Sequence, residues 1–194
     1  MTKNIMIVGV GGQGTLLASK LLGRLLLLQG YDVKVSEVHG MSQRGGSVTT
    51  YVRYGENVAS PVIDLGEADC ILSFEQLEAA RALPYLKKGG VIVTNTGKTA
   101  PMSVITGTAP YPEDLLDKLR AKGAVVEALD ALPLAEKAGS NKCVNVVLLG
   151  CLSRHFPEIP EAAWREALTA LVPPKLEAVN QEAFTLGRAA AQES

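Results

Sequence analysis

The feature that most limits what this chain can fold into lies at its start. Lys3-Asn4-Ile5-Met6-Ile7-Val8-Gly9-Val10 is a short apolar run ending in glycines, the pattern of a buried parallel strand. Gly9-Val10-Gly11-Gly12-Gln13-Gly14 follows at once, and residues 15–29 are rich in Leu and Ala, which favours a helix that Gly30 stops. Strand, glycine turn and helix in that order let backbone N–H groups approach a phosphate closely, while the helix N-terminus adds partial positive charge. Gly9, Gly11, Gly12 and Gly14 therefore read as a phosphate or nucleotide loop, with Gln13 placed to reach an anion and Thr15 to cap or donate. The bland reading of the same residues is a turn that only packs helix against strand. No Lys stands in the loop, which disfavours a P-loop NTPase.

Residues 32–38 alternate as a second strand and complete a β–α–β unit. Glu37 ends that strand roughly 20 residues after the glycines, where a dinucleotide fold holds its ribose. A stand-alone NAD- or nucleotide-binding Rossmann-like protein is thus the alternative function, although no hydride-transfer apparatus follows and Glu37 equally suits a structural acceptor. The next segment departs from a plain doubly wound sheet. A polar, glycine-rich stretch, 39–46, runs straight into a β-prone segment, 47–54, with no room for a helix, so an antiparallel pairing is expected. Further strands are expected at 68–74, 91–95 and 125–129, a β-prone piece at 103–106, and helices at 75–86 and 112–122. After Asp130 the pattern is helical, at 132–137, 142–155, 160–171 and 174–192. The expected fold class is α/β: a Rossmann-like, mostly parallel sheet with an antiparallel element after the second strand and a helical C-terminal third, in one domain over 1–194.

The 39–46 stretch is the second candidate site. Ser42 and Gln43 can donate to an anion, Arg44 can hold phosphate or carboxylate through two parallel hydrogen bonds, and Gly45 follows. His39 reads as an ordinary loop residue. Asn95-Thr96-Gly97-Lys98, Asn141, Lys142 and Asn145 are weaker candidates for the same crevice. Composition narrows the rest. The 194 residues are 47% hydrophobic and 20% charged with a net charge of -1, which excludes a disordered chain and offers no general attraction for nucleic acid or an anionic membrane. Two His make a histidine-built metal site unlikely, and Cys70, Cys143 and Cys151 fit neither cluster nor zinc spacing. No catalytic set and no metal ligands are therefore expected. Scattered thiols, no export-type apolar segment and no membrane-length run of ~20 apolar residues point to a cytoplasmic chain. Its apolar content leads to the expectation of an exposed interface patch that includes part of the helical third.

Glu37-Val38-His39-Gly40-Met41-Ser42-Gln43-Arg44-Gly45-Gly46-Ser47-Val48, after the glycine loop, resembles the gamma domain of the 2-oxoacid:ferredoxin oxidoreductases over nearly the whole chain, and most of all the indolepyruvate branch. The resemblance implies a subunit that completes the site for CoA-dependent oxidative decarboxylation of a 2-oxoacid to an acyl-CoA, with electrons passed to ferredoxin. It implies a large alpha subunit carrying thiamine diphosphate and [4Fe-4S] clusters, no cofactor held stably by this chain alone, and the glycine and Arg44 loops as contacts for coenzyme A or the partner. Homodimerisation of the isolated chain, and a purely structural interaction subunit, stay open.

Overall fold

The computed structural model describes residues 2–38 and 45–190. His39, Ser42, Gln43 and Arg44 lie outside the described residues. Chain order is β1 (Lys3–Val10), α1 (Thr15–Leu28), β2 (Asp32–Val38), β3 (Ser47–Gly55), β4 (Ala68–Ser73), α2 (Gln76–Ala82) and β5 (Leu86–Asn95). It continues with α3 (Met102–Ile105), α4 (Leu115–Ala121), β6 (Val125–Leu129), α5 (Ala131–Ala138), α6 (Val144–Leu152), α7 (Glu161–Thr169) and α8 (Glu177–Ala190).

The six strands form one sheet in the order β2-β3-β1-β4-β5-β6. β1, β4, β5 and β6 are parallel. β3 is antiparallel to both β1 and β2, with Ile5 opposite Val52 and Val35 opposite Val52 on its two sides. The expected antiparallel element is present, and it is an internal strand that separates β1 from β2.

Successive side chains of β1 serve opposite faces, as the strand period of two requires. Ile5 and Ile7 join α1, α6, α7 and α8 on one face, while Met6 and Val8 join Ala79, Ala82 and Leu119 of α2 and α4 on the other. α1 has no side-chain cap and no acid in its first turn. Packing holds it: Leu21, Leu22, Leu25 and Leu26 are fully buried, each stabilising by about 1.5–3 kcal/mol over exposure. Every residue of α6 from Asn145 to Leu152 is buried, so this helix is apolar all round because other helices surround it. α6 and α8 cross where Gly150 and Gly187 face them; a Cβ on either would overlap the other helix's backbone at Phe184 or Val147.

Three local readings change. Residues 103–106 are β-prone, yet the chain there forms the short helix α3, because the Pro101 carbonyl accepts from the Val104 and Ile105 amides at 2.9 and 3.0 Å. The helix expected over 75–86 ends at Ala82 and gives way to a single tight turn over Leu83–Tyr85, where Pro84 cannot donate. β5 accordingly begins at Leu86, ahead of the expected 91. Exposed large apolar residues occur in the helical third, at Leu132 and Leu176, and outside it. Leu27, Leu28, Val35 and Val38 lie on α1 and β2, and Met102 and Ile105 on α3.

Candidate functional site

The glycine turn sits at the carboxyl end of β1. Gly12 and Gly14 have φ of 101° and 90°, values that L side chains rarely adopt. Gly14 faces a second constraint, since a Cβ there would overlap the Asn145 side chain from α6. At Gly9 a Cβ would stand 2.9 Å from the Gln13 side chain and 3.2 Å from Phe74. The Gln13 side chain turns back toward its own loop: its Oε1 accepts from the Val10 amide at 2.7 Å, and its Nε2 faces Thr99 Oγ1 at 3.5 Å. It braces the turn. Gly11 and the segment leading into β3 are stitched together, with the Gly11 amide donating to the Gly46 carbonyl at 2.8 Å and the Gly45 amide to the Gly11 carbonyl at 3.2 Å.

Two cavities flank the turn. The smaller, about 320 Å³, is bounded by Gly11, Gly12, Gly14 and Thr15 together with Glu37, Val48 and Thr50. The larger, about 680 Å³, has Gly12, Gln13 and Gly14 on one side and Asn95, Asp130, Asn141, Lys142 and Asn145 on the other. It is the crevice outside the carboxyl ends of the parallel strands, the usual ligand position in an open α/β sheet. Three helical starts meet there. Gly14 precedes α1, Asp130 precedes α5, and Asn141–Cys143 form a tight turn leading into α6. The amides of Thr15 and Leu16 have no carbonyl within α1 to accept them, and each start adds positive potential. Lys142 is the cation of this lining and Asp130 its acid.

Buried side chains fix the walls. Asn145 is 6% exposed; its Oδ1 accepts from the Val146 amide at 2.9 Å and its Nδ2 faces the Gly14 carbonyl at 3.4 Å. This joins the glycine turn to the helical layer. Asn95 Oδ1 accepts from the Ala131 amide at 3.1 Å, setting the start of α5. Glu75 is 1% exposed and fully engaged: Oε2 accepts from the Leu77 and Glu78 amides at 2.7 and 3.0 Å, and Oε1 accepts from the Thr99 amide at 3.2 Å and the Tyr111 hydroxyl. Four donors satisfy its buried oxygens, and this side chain ties the segment after β5 to the end of β4. Burial and the neighbouring carboxylate hold the Tyr111 hydroxyl protonated, above its ordinary range.

Of the residues read from the sequence, Gly11, Gly12, Gln13, Gly14 and Thr15 border the cavities, whereas Gly9 packs beneath the turn and Gly45 braces it from the side. Asn95, Asn141, Lys142 and Asn145 meet in the larger crevice. Asp130 and Glu75 were missed; each lies between a strand and the helix that it immediately precedes, which was the available signal. Glu37 accepts from Ser19 Oγ at 3.2 Å, and β3 stands between its strand and β1, unlike the adjacent first and second strands of a dinucleotide fold. The three thiols are buried. Burial and nearby carboxylates push Cys70 up to about 12 and Cys151 higher still, which leaves both unreactive. Among the described residues no group of three metal-ligating side chains is found, and no helix is long and apolar enough to cross a membrane.

The family model for pyruvate ferredoxin/flavodoxin oxidoreductase matches residues 4–190. The chain is 49% identical over 195 residues to indolepyruvate oxidoreductase subunit IorB of Thermococcus kodakarensis, covering 98% of this chain and 96% of that one. It is 46% identical over 200 residues to the subunit of the same name from Pyrococcus horikoshii, again covering 98% and 96%. Among solved structures, the gamma subunit of a keto/oxoacid ferredoxin oxidoreductase from Geobacter sulfurreducens shares the fold, with a TM-score of 0.74 at 22% identity over 99% of both chains. So does 2-oxoglutarate:ferredoxin oxidoreductase from Magnetococcus marinus, with a TM-score of 0.75 at 21% identity over all of this chain and 31% of that one.

Proposed function

The chain belongs to the pyruvate ferredoxin/flavodoxin oxidoreductase family, and on that footing we propose that it is the small subunit of an indolepyruvate oxidoreductase. Its similarity to indolepyruvate subunits from end to end carries this reading. The stand-alone NAD-binding alternative loses its geometric basis with β3 between β1 and β2. In this reading residues 1–194 act as one gamma-type domain of a cytoplasmic complex. The complex oxidatively decarboxylates an aryl 2-oxoacid to its acyl-CoA and passes electrons to ferredoxin.

Thiamine diphosphate and [4Fe-4S] clusters would supply the decarboxylation and electron transfer from the large partner subunit. This chain's own residues do not suit a cluster: its thiols are buried, and Cys143 is a further one raised by burial. They suit coenzyme A. The crevice of about 680 Å³ has the size of a small-molecule site, and its three helical starts and Lys142 match a diphosphate. Gly12 and Gly14 let the backbone come close to that group. Asn145 holds the turn against α6, and Lys142 neutralises charge. Ser42, Gln43 and Arg44 belong to the same proposed contact by their place just before Gly45 in sequence.

The test is co-expression with the large subunit and assay against a panel of 2-oxoacids with CoA varied. The expected result is activity that needs both chains, favours aryl pyruvates and saturates with CoA. Full activity of the large subunit alone would overturn the reading.

A further inference from the structure

A third cavity, about 480 Å³, lies along β6 and shares no lining residue with either cavity at the glycine turn. β6 is an edge strand. Arg120, from α4, comes to the cavity from one side; Arg154 and His155, from the turn that ends α6, come to it as well. α4 belongs to one layer of the sandwich and α6 to the other, so the two guanidinium groups converge on the strand edge from opposite faces of the sheet. Val125, Val126 and Ala128 supply an apolar wall.

The charges are unevenly matched. Glu127 is the one acid of the lining, and it is taken up by His155, whose Nε2 stands 2.5 Å from Glu127 Oε2. Among the described residues the ion pair of Arg120 is with Asp117, at 3.2 Å, an exposed pair of little strength. Arg154 forms no ion pair among the described residues. A guanidinium keeps its charge throughout the physiological pH range, so an anion can pair with it at any of those pH values. A guanidinium also presents donors in a planar fork that matches an oxyanion.

We propose that this cavity binds a small oxyanion carried on an organic body, of the phosphate monoester class, with Arg154 as the principal donor and Arg120 as the second. The volume exceeds that of a bare ion, and the apolar wall suits the body of such a ligand. His155, held by Glu127, borders the anion and reports on it.

The chain contains only two histidines, His39 and His155, so the imidazole proton resonances of the full-length chain give a local readout. Glycerol 3-phosphate is titrated at constant ionic strength, with succinate as a carboxylate of comparable charge. The expected result is a saturable shift of the His155 resonance with the monoester, weakened at least about tenfold in Arg154→Gln and severalfold in the surface variant Arg120→Gln. Arg120→Gln keeps the test valid if Arg154→Gln does not fold. A shift that never saturates, or that persists unchanged in the folded variants, would overturn the proposal and leave non-specific screening. Equal or tighter binding of succinate would overturn the phosphate assignment and mark the cavity as a dock for carboxylates, such as those of an acidic partner segment. None of these outcomes depends on the crevice at Gly12 or on activity of the complex.

Discussion

The two sides of the glycine turn carry different chemistry. Toward the β2 edge, the smaller cavity is closed by Glu37, Val48 and Thr50, and β3 stands between β1 and β2. Toward β4 and β5, the larger crevice is lined by Lys142 and three asparagines, at the starts of α5 and α6. A dinucleotide fold uses the acid of its second strand because that strand adjoins the first. Here the inserted β3 removes that adjacency, and the C-terminal helices supply the opposite wall. The same strand–glycine–helix start thus serves a different site once the sheet order changes.

The largest effect that sharpens this contrast is expected at Gly14, which touches both sides. Gly14→Ala combines left-handed backbone strain with overlap of Asn145. It is expected to cost about 2–4 kcal/mol and lower Tm by roughly 5–15 °C, with loss of CoA binding. Thermal denaturation read beside Gly45→Ala checks it, because Gly45 has φ of 79° but open space at its Cβ; the Gly14 variant should suffer more. Next comes Asn145→Ala, which takes the buried acceptor from the Val146 amide and the donor from the Gly14 carbonyl. A cost of about 1–3 kcal/mol is expected, with CoA affinity down about tenfold by titration calorimetry.

Lys142→Gln should separate binding from folding. Lys142 is exposed, so stability should change by less than about 0.5 kcal/mol. CoA affinity should fall about three- to tenfold, with a shallower salt dependence in calorimetry at two ionic strengths. The smallest effect is expected on the other side: Glu37→Gln should alter CoA affinity by less than about twofold. If Glu37→Gln outweighed Lys142→Gln, the ligand would belong on the β2 side, and the two sides of the turn would exchange roles.

How much of this was legible in the sequence follows from the range of the interactions. The bounds of β1 and β2 read directly, since glycines and strict alternation punctuate them locally. The place of β3 did not, because sheet order is settled by pairing and not by any residue within the strand. α3 was misread because the β propensity of Val104 and Ile105 yields to capping by the Pro101 carbonyl. The glycine turn announced itself as a site, yet Gln13 turns inward, where its Oε1 accepts from the Val10 amide. Glu75 stayed hidden because Tyr111, its partner, lies 36 residues away. The close approach of Gly150 and Gly187 was equally silent, since only the crossing of α6 and α8 gives those glycines a purpose.

The central claim about this site is a diphosphate ligand held on the Lys142 side of the glycine turn. Titration calorimetry of the full-length chain with CoA and, separately, NAD, repeated with Lys142→Gln and Glu37→Gln, tests this most directly. Saturable CoA binding is expected that weakens about three- to tenfold in Lys142→Gln and hardly at all in Glu37→Gln, with no saturable binding of NAD. NAD binding abolished by Glu37→Gln, or CoA binding indifferent to Lys142, would contradict it.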